Sequence, residues 1–551
     1  MSLKSMVPPI GVSPFETRAN LLNHRFSPVI SLEASETIQQ IIQQQHNTTI
    51  LDLFKLYGDN HKYPIPNQQF KIITNQLITK SYPSFPLRFV DTLTGDSTSI
   101  PDMETELYKQ CQEGVGQELY GQMFNHMVSD KLLLSFETFN HPISQVFVVN
   151  IHDSIDELRN MIVLFRNQNY PMYFQMNDLL FHVVIFYEQH EDVVGFQNEI
   201  KTKLNLNSTV IQLDTSLDIR YKLNEYIVKH LIPHIQLKIR LWDDLYLQPK
   251  KSITNRFISV SKRFFNNNST SDSQLASSTS TTSTTNPFNY NENYYYKGSN
   301  QQIIRKLADW ALMLNDFKYA YTIYDLIKKD FSQDKAWIYV ASTQEMCIIS
   351  LLLAQTDTAS VIPDKNTLRK IRHDIIEPFM DNLTYTYKSR FNYIQLNRRC
   401  LIIVVELLLC MTELYNLAYW WIDLIELYTT QLIEEIDHES KQHSIIKALF
   451  YERLGYSFGH YYGGDLPEQA EPTEEKEEED VNPDKLLPPI HNSIIGLTRF
   501  RKSSLWYLLS VREWLGILDR SKLSFIIENI RVRYTLHDSV IKEILTDNLT
   551  E

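Results

Sequence analysis

The sequence has few cysteines, few glycines and no apolar run long enough to cross a bilayer. Four cysteines are scattered without a C-x-x-C pair, so neither a disulfide framework nor a zinc site is indicated and a reducing compartment is expected. Only 14 glycines occur in 551 residues, which suits helices better than an all-β fold. The most apolar run, Leu401–Cys410, contains Glu406 and is far shorter than the ~20 residues that span a membrane. The first residues also lack the apolar core of a signal peptide. We therefore expect a cytoplasmic protein whose membrane contact, if any, is peripheral.

The charge balance gives no sign of a nucleic-acid partner. The net charge is −13, from 53 basic and 66 acidic residues. The run Glu471–Asp480 carries seven acids and one lysine, and so supplies −6 of that total. The rest of the chain is only mildly acidic, so nothing argues for the basic surface of a nucleic-acid-binding protein. We interpret the acidic run as part of a solvated, disordered loop at residues 465–487.

Residues 1–249 alternate short apolar runs with helical patterns. The runs are partly β-branched and continuous, as in a sheet that is covered on both faces. This order predicts an α/β sandwich domain with at least partly parallel strands. The predicted strands are Pro28–Leu32, Gln145–Val149, Leu180–Phe186 and Thr209–Leu213. The predicted helices are Ser35–Gln45, Asp153–Arg166, Val194–Leu204 and Leu217–Ile232.

Residues 250–265 form a basic amphipathic segment with no acidic residue. On a helix, four apolar residues share one arc, two more flank it, and basic residues lie opposite or precede it. An interfacial helix on an anionic membrane needs this combination. The residues that we predict to bind the membrane are Lys250, Lys251, Ile253, Arg256, Phe257, Val260, Lys262, Arg263, Phe264 and Phe265. Two alternatives stay open: packing on a neighbouring domain, and contact with another partner.

Residues 266–300 are rich in Ser, Thr and Asn. Such a composition cannot bury enough apolar surface to offset the entropy lost on ordering. We expect a disordered linker here.

Residues 301–551 have apolar spacings of three and four almost throughout, which predicts helices. Two such runs meet at Asn315-Asp316, a pair that tolerates turn geometry and can cap the following helix. The small Ala320 follows, as in a tetratricopeptide-like hairpin. Because one hairpin cannot bury both apolar faces, neighbours must stack on it. The prediction is a C-terminal α-solenoid after the N-terminal α/β sandwich.

No catalytic, cofactor or metal residues are predicted. Gly455-Tyr-Ser457-Phe-Gly459 fits the G-x-S-x-G formula, but a helical pattern enters it where a nucleophile elbow requires a strand; the glycines are interpreted as ending a helix. Gly114 and Gly116 lack the Lys-Ser/Thr of a phosphate-binding loop. Asp153 or Ser154 is interpreted as the cap of the following helix. The pairs Asp243-Asp244 and Glu434-Glu435 are interpreted as solvated charges.

Several stretches of the second half resemble a known family, the large subunit specific to the transport protein particle III (TRAPP III) complex. The resemblance rests on Leu-Ala-Asp, Ala-Tyr-x-x-Tyr, Lys-Lys-Asp-Phe, Asp-Lys-Ala and Glu-Met patterns, followed by further helical stretches up to Trp514. In this sequence the five patterns are Leu307–Asp309, Ala320–Tyr324, Lys328–Phe331, Asp334–Ala336 and Glu345–Met346. A His141-Pro142 pair before an apolar strand is similar to the family's amino-terminal domain.

The resemblance implies a non-catalytic subunit of a complex that exchanges nucleotide on a Rab1-type GTPase and tethers membranes. It implies docking to TRAPP core subunits, most directly a sedlin-type end subunit, and an indirect relation to the GTPase. It also implies a peripheral location on Golgi and preautophagosomal membranes, in ER-to-Golgi transport and autophagy. The alternative is a helical-repeat scaffold of another vesicle-trafficking complex that binds peptides.

Overall fold

A computed structural model gives the structure of the chain. It describes residues 14–58, 65, 68–91, 99–112, 119–129, 133–188, 192–213, 216–253, 287–357, 363–415, 418–438, 444–459, 494–515, 526 and 530. The chain divides into two compact units. The sheet unit comprises Leu22–Asp96 and Asp130–Ile394, and the helical unit comprises Met1–Leu21, Ser97–Ser129 and Gln395–Glu551.

A five-stranded parallel sheet forms the centre of the sheet unit. Its spatial order is β4-β1-β5-β6-β7. The strands are β1 (Val29–Ala34), β4 (Arg88–Val90), β5 (Pro142–Asn150), β6 (Leu180–Tyr187) and β7 (Asn207–Gln212). All nine residues of β5 are buried, as expected of a central strand between two layers of helices. The four predicted strands and their parallel pairing are confirmed; β4, which is only three residues long, was not predicted.

Helices cover both faces of this sheet. Helices α2 (Glu36–His46), α3 (Ile50–Gly58), α6 (Ile155–Arg166), α7 (Val193–Leu204) and α8 (Ser216–Tyr226) surround it. Phe147 and Val183 pack with α6 and α7, whereas Val146 and Val184 line a small cavity with α3 and α8. Successive residues of a strand point to opposite faces, so the arrangement is a three-layer α/β sandwich, as predicted.

The remaining elements of the sheet unit are two β-hairpins and a series of helices. The hairpins are β2 (Phe70–Ile73) with β3 (Thr79–Tyr82), and β8 (Phe288–Asn289) with β9 (Tyr294–Tyr295). The helices are α9 (Ile232–Trp242), α10 (Gln248–Ile253), α11 (Asn300–Met313), α12 (Phe317–Gln333), α13 (Trp337–Asp357), α14 (Lys365–Lys370) and α15 (Glu377–Tyr385). Wider helical turns at Ile227–Leu231, Asp243–Leu247, Ile371–Ile376 and Thr386–Arg390 connect some of them.

The predicted hairpin of helices in this unit is present. Asn315 has the left-handed backbone that its turn position requires (φ 57°), and Asp316 precedes the first residue of α12. The Asp316 carboxylate accepts a hydrogen bond from the Asn75 N–H at 3.1 Å.

The segment predicted to be a disordered linker is ordered at its end. Pro287 to Ser299 contains the β8–β9 hairpin, and Tyr295 is fully buried there. Its ring packs against Phe331 and Tyr339, with ring centroids at 5.4 and 4.9 Å. At this end, the packing of aromatic side chains therefore orders a segment whose polar composition predicted disorder. The first part of the predicted linker lies outside the described residues.

The helical unit contains α1 (Pro14–Arg25, as far as Leu21), α4 (Ile100–Gln112), α5 (Leu119–Val128), α16 (Ile394–Tyr415), α17 (Ala418–Asp437), α18 (Ile445–Gly459) and α19 (Ile494–Leu515). Trp421, Leu424 and Tyr428 belong to its core. The predicted acidic loop at 465–487 lies outside the described residues.

The fold class is confirmed at the level of an N-terminal parallel sheet with a predominantly helical C-terminal part. The division by contacts places the helices from Asn300 to Ile394 with the sheet, so it does not follow the predicted boundaries at 249 and 301. Those boundaries stay predictions. Among the described helices, α13 is long and apolar enough to cross a membrane, and 94% of its most apolar window is buried within the protein.

Candidate functional site

A buried polar network connects the helical hairpin to the loop before β5. Its centre is Asp309, whose side chain is fully buried. The carboxylate accepts hydrogen bonds from the Thr138 N–H at 3.0 Å, the Thr138 hydroxyl at 2.5 Å and the Tyr324 hydroxyl at 2.6 Å. It also forms an ion pair with Arg305, with Nε 3.0 Å from Oδ1. The carboxylate therefore holds α11, α12 and the loop together.

The Arg305 guanidinium extends this network to α13. It donates to the Thr343 hydroxyl at 3.0 Å and to the Ser342 hydroxyl at 3.1 Å. Burial acts to lower the pKa of Arg305, but the neighbouring groups Asp309, Tyr324 and Glu137 together outweigh it, so that the pKa is raised. A charge buried in this way must keep its partner, since an unpaired one is strongly destabilising. The network is closed to solvent and fixes the relative positions of α11, α12, α13 and the loop before β5.

The family-like motifs lie at positions that hold this part of the fold together. Ala308 and Ala320 are fully buried where helices meet. Asp334 accepts from the Tyr295 hydroxyl at 2.8 Å, and Glu345 accepts from the Tyr387 hydroxyl at 2.8 Å. The patterns thus specify packing and internal hydrogen bonds.

A second cluster of charges lies between α9 and α11. Asp178 accepts from Lys306 Nζ at 2.6 Å and from Lys238 Nζ at 2.9 Å. Burial acts to raise the pKa of Asp178, but the two ammonium groups outweigh it and lower the pKa. This cluster also joins elements of the sheet unit.

The predicted membrane segment is only partly within the described residues. Lys250 lies at α10 and forms an ion pair with Asp330 of α12, and burial lowers the pKa of its ammonium to about 8. Lys251 and Ile253 belong to the same helix. The other predicted residues, Arg256, Phe257, Val260, Lys262, Arg263, Phe264 and Phe265, lie outside the described residues. The membrane role of the segment stays a prediction.

The helical unit has its own buried charges, which the sequence analysis did not identify. Glu406 accepts from the Tyr120 hydroxyl and forms ion pairs with Arg18 and Arg453. Burial acts to raise the pKa of Glu406, but the two arginines outweigh it and lower the pKa. The acid inside the most apolar run is thus a partner for buried arginines. An acidic residue in the middle of an otherwise apolar run was the sequence signal that could have identified Glu406 as buried and paired.

The G-x-S-x-G sequence at Gly455–Gly459 has a structural explanation. Ser457 lies within α18, and its hydroxyl donates to the Arg453 carbonyl at 2.8 Å. No strand enters the motif, so the requirement for a nucleophile elbow is not met. Gly455 does not end the helix, contrary to the expectation. A Cβ at this position would lie 2.8 Å from the Tyr507 ring, so the glycine permits close helix packing.

Two other interpretations have clear outcomes. Ser154 caps α6, because its side chain accepts from the Glu157 N–H. The paired acids were expected to be solvated, and for Asp243 and Glu435 this was wrong, since both are buried. Asp243 accepts from the Tyr319 hydroxyl at 2.6 Å, and Glu435 accepts from the Asn397 amide at 2.7 Å.

Gly114 and Gly116 lie outside the described residues. Within the described part of the chain, no group of three His, Cys, Asp or Glu side chains is placed to hold a metal ion.

Comparison with known proteins places these features in a family. A family model described as the ER-Golgi trafficking TRAPP I complex 85 kDa subunit matches residues 22–113, 93–218 and 212–412. The chain is 24% identical to the trafficking protein particle complex III-specific subunit 85 of Saccharomyces cerevisiae, over 76% of this chain and 68% of that protein.

Shorter matches agree with this relationship. The chain is 30% identical to the transport protein particle subunit trs85-1 of Schizosaccharomyces pombe, over 36% of this chain and 27% of that protein. It is 25% identical to the human trafficking protein particle complex subunit 8, over 34% of this chain and 12% of that protein. The family match spans most of the sheet unit, which includes the buried network around Asp309. The chain belongs to the family of 85 kDa TRAPP subunits.

Proposed function

We propose that this protein is a non-catalytic, TRAPP III-specific subunit of a complex that acts as an exchange factor and tether for a Rab1-type GTPase. Its own contribution is positional: it attaches at one end of the core, most directly to a sedlin-type subunit. It directs the complex to Golgi and preautophagosomal membranes in ER-to-Golgi transport and autophagy. Exchange itself is the work of the small core subunits.

One observation carries this proposal. The residues that resemble the family form the closed network around Asp309 and the packing of α11, α12 and α13. Because they are buried and hydrogen-bonded to one another, they can specify a rigid body but cannot act on a substrate. A rigid body of this kind suits a subunit that works by placing other proteins.

The helical part extends this role. We propose that the α11–α12 hairpin begins a tetratricopeptide-like solenoid that continues toward the C-terminus. Its stacked hairpins would give a stiff arm. The basic amphipathic segment 250–265 would add a weak contact with anionic lipid, which becomes effective when the rest of the assembly adds further contacts.

Affinity purification from cells of the source organism tests the proposal. The tagged full chain is isolated at physiological salt, and the eluate is analysed by mass spectrometry. We expect small TRAPP core subunits, among them a sedlin-type subunit, at near-equimolar amounts. Their absence from an eluate of folded protein would contradict the proposal and favour the alternative, a peptide-binding scaffold of another trafficking complex.

Nucleotide exchange on the Rab1-type GTPase separates the subunit from the core. We expect the isolated chain to leave the rate of exchange unchanged, whereas the purified complex accelerates it. Acceleration by the isolated chain would contradict the non-catalytic role.

A further inference from the structure

An exposed cluster of aromatic and basic side chains lies on the sheet unit, where α13 begins and α15 continues into the turn Thr386–Arg390. The Arg390 guanidinium lies over the Trp337 ring at 4.7 Å and over the Tyr385 ring at 5.5 Å. Tyr393 follows, stacked on Phe391 with ring centroids at 6.1 Å. We call Trp337, Tyr385, Arg390 and Tyr393 the aromatic–basic patch.

The patch keeps large apolar surface in contact with water. The exposed fractions are 39% for Trp337, 55% for Tyr385 and 44% for Tyr393. Exposed Trp, Tyr and Arg side chains that touch one another are the residue types that dominate binding energy at protein interfaces. Stacking on Arg390 holds the two rings in place before a partner arrives, which lowers the entropy lost on binding.

The basic side chains at the patch lack acidic partners among the described residues. Arg390 forms no ion pair with any described residue, and neither does the exposed Lys335, two residues before Trp337. In the sequence, no acidic residue occurs between Asp381 and Glu406. A guanidinium whose faces are stacked on rings still has in-plane N–H donors for a carboxylate. The surface is thus complementary to a partner that presents acids beside apolar groups.

We propose that the aromatic–basic patch binds an acidic peptide segment of a partner protein. A Glu or Asp of that segment pairs with Arg390, and an adjacent apolar or proline residue packs on Trp337 or Tyr385. This inference does not depend on the proposed TRAPP assembly, because it concerns a peptide and this chain alone.

Selection from a library of random 12-residue displayed peptides tests the proposal with the immobilised full chain. We expect the selected pool to be enriched in Asp and Glu. The best peptide, labelled with fluorescein, is then titrated by polarisation. Its affinity should fall at least tenfold for Trp337→Ala and for Arg390→Glu. Replacement of its acids by the corresponding amides should weaken it similarly.

Arg369→Glu is the matched control. Arg369 is an exposed arginine on α14, so this variant makes the same charge change away from the patch and should bind as the wild type does. If Trp337→Ala does not fold, Arg390→Glu still decides the result, since Arg390 is exposed.

Three results would overturn the proposal. The first is a pool without acidic enrichment, and the second is equal weakening by Arg390→Glu and Arg369→Glu. The third is flotation of the wild type with phosphatidylserine vesicles that Arg390→Glu abolishes and Arg369→Glu does not. That result would assign the patch to lipid.

Discussion

The hydroxyl of Tyr324 donates a 2.6 Å hydrogen bond to the carboxylate of Asp309, and both side chains are fully buried. Tyr324 lies on α12 and Asp309 on α11, so this bond joins the two helices of the hairpin. Burial, together with the charge of Asp309, raises the pKa of the Tyr324 hydroxyl well above its usual value. The hydroxyl therefore stays protonated and acts as a donor throughout the physiological pH range.

Removal of the Asp309 carboxylate should destabilise the protein strongly. We expect Asp309→Ala to lower the free energy of unfolding by about 3–5 kcal/mol, because Arg305 is left as an unpaired buried charge. Tyr324→Phe should cost only about 1–3 kcal/mol, through one acceptor site left unfilled. Urea denaturation followed by circular dichroism measures both.

The control for this pair of variants is Asp156→Ala. Asp156 belongs to a surface ion pair with Arg159, and its side chain is 83% exposed. We expect a change of less than about 1 kcal/mol there. Equal losses for Asp309→Ala and Asp156→Ala would contradict the assigned role of the network.

Glu452 should make stability depend on pH. Burial raises the pKa of its carboxyl to about 8 from its ordinary value of 4.5, while Trp514 and Ser510 donate hydrogen bonds to it. The folded protein thus holds this proton more tightly than the unfolded chain. Its contribution to stability is complete below pH about 4.5 and is lost as the pH rises toward about 8.

The variant Glu452→Gln cannot ionise. It should therefore not lose the stability that the wild type loses when Glu452 ionises. Thermal midpoints measured from pH 5 to pH 8.5 should therefore fall less steeply for this variant than for the wild type. Glu434→Gln, at an exposed position of α17, should follow the wild-type curve. Parallel curves for the wild type and Glu452→Gln would refute the assignment.

Two helical glycines of the helical unit should respond oppositely to alanine. At Gly455 a Cβ would lie 2.8 Å from the buried Tyr507 ring, whereas at Gly121 the nearest atom to a Cβ is Leu21 Cδ2 at 3.9 Å. We expect Gly455→Ala to destabilise by about 1–3 kcal/mol through overpacking. Gly121→Ala should stabilise by up to about 1 kcal/mol, since alanine favours helix. Thermal denaturation of both variants measures the difference, and stabilisation by Gly455→Ala would contradict the close packing.

Ser457 should be dispensable for function. Because its hydroxyl donates within α18 to the Arg453 carbonyl, Ser457→Ala should leave the recovery of TRAPP subunits in affinity purification unchanged. Complementation of a deletion strain gives a second measurement. Loss of complementation by a variant with a wild-type thermal midpoint would indicate a catalytic role.

The basic amphipathic segment should contribute to membrane binding through its apolar arc. We expect Phe257→Asp combined with Phe264→Asp to reduce flotation of the full chain with anionic liposomes, because two charges would enter the lipid-facing side. Recovery of TRAPP subunits should not change. Ser252→Asp combined with Ser259→Asp adds the same charge away from the arc and should retain more flotation. Unchanged flotation of the Phe variant would exclude the segment, and failed assembly would show that it packs within the complex.

The sequence by itself determined the local elements of this protein. Continuous apolar runs predicted β1, β5, β6 and β7, because a strand buried on both faces needs no polar alternation. Helical spacing and the Asn315-Asp316 pair predicted the hairpin of α11 and α12, because turn and periodicity are local properties. The sequence motifs identified the family, but they did not show which residues the motif side chains contact.

Only the tertiary structure decided which polar residues are buried. Asp309 and Asp243 look like ordinary acids in the sequence, and each is buried because a Tyr on another element supplies a hydrogen bond to it. Pairing across such separations depends on how the helices pack, which no local pattern records. The same reason explains why the β8–β9 hairpin was missed: its Tyr295 packs against Phe331 and Tyr339, which lie on other elements.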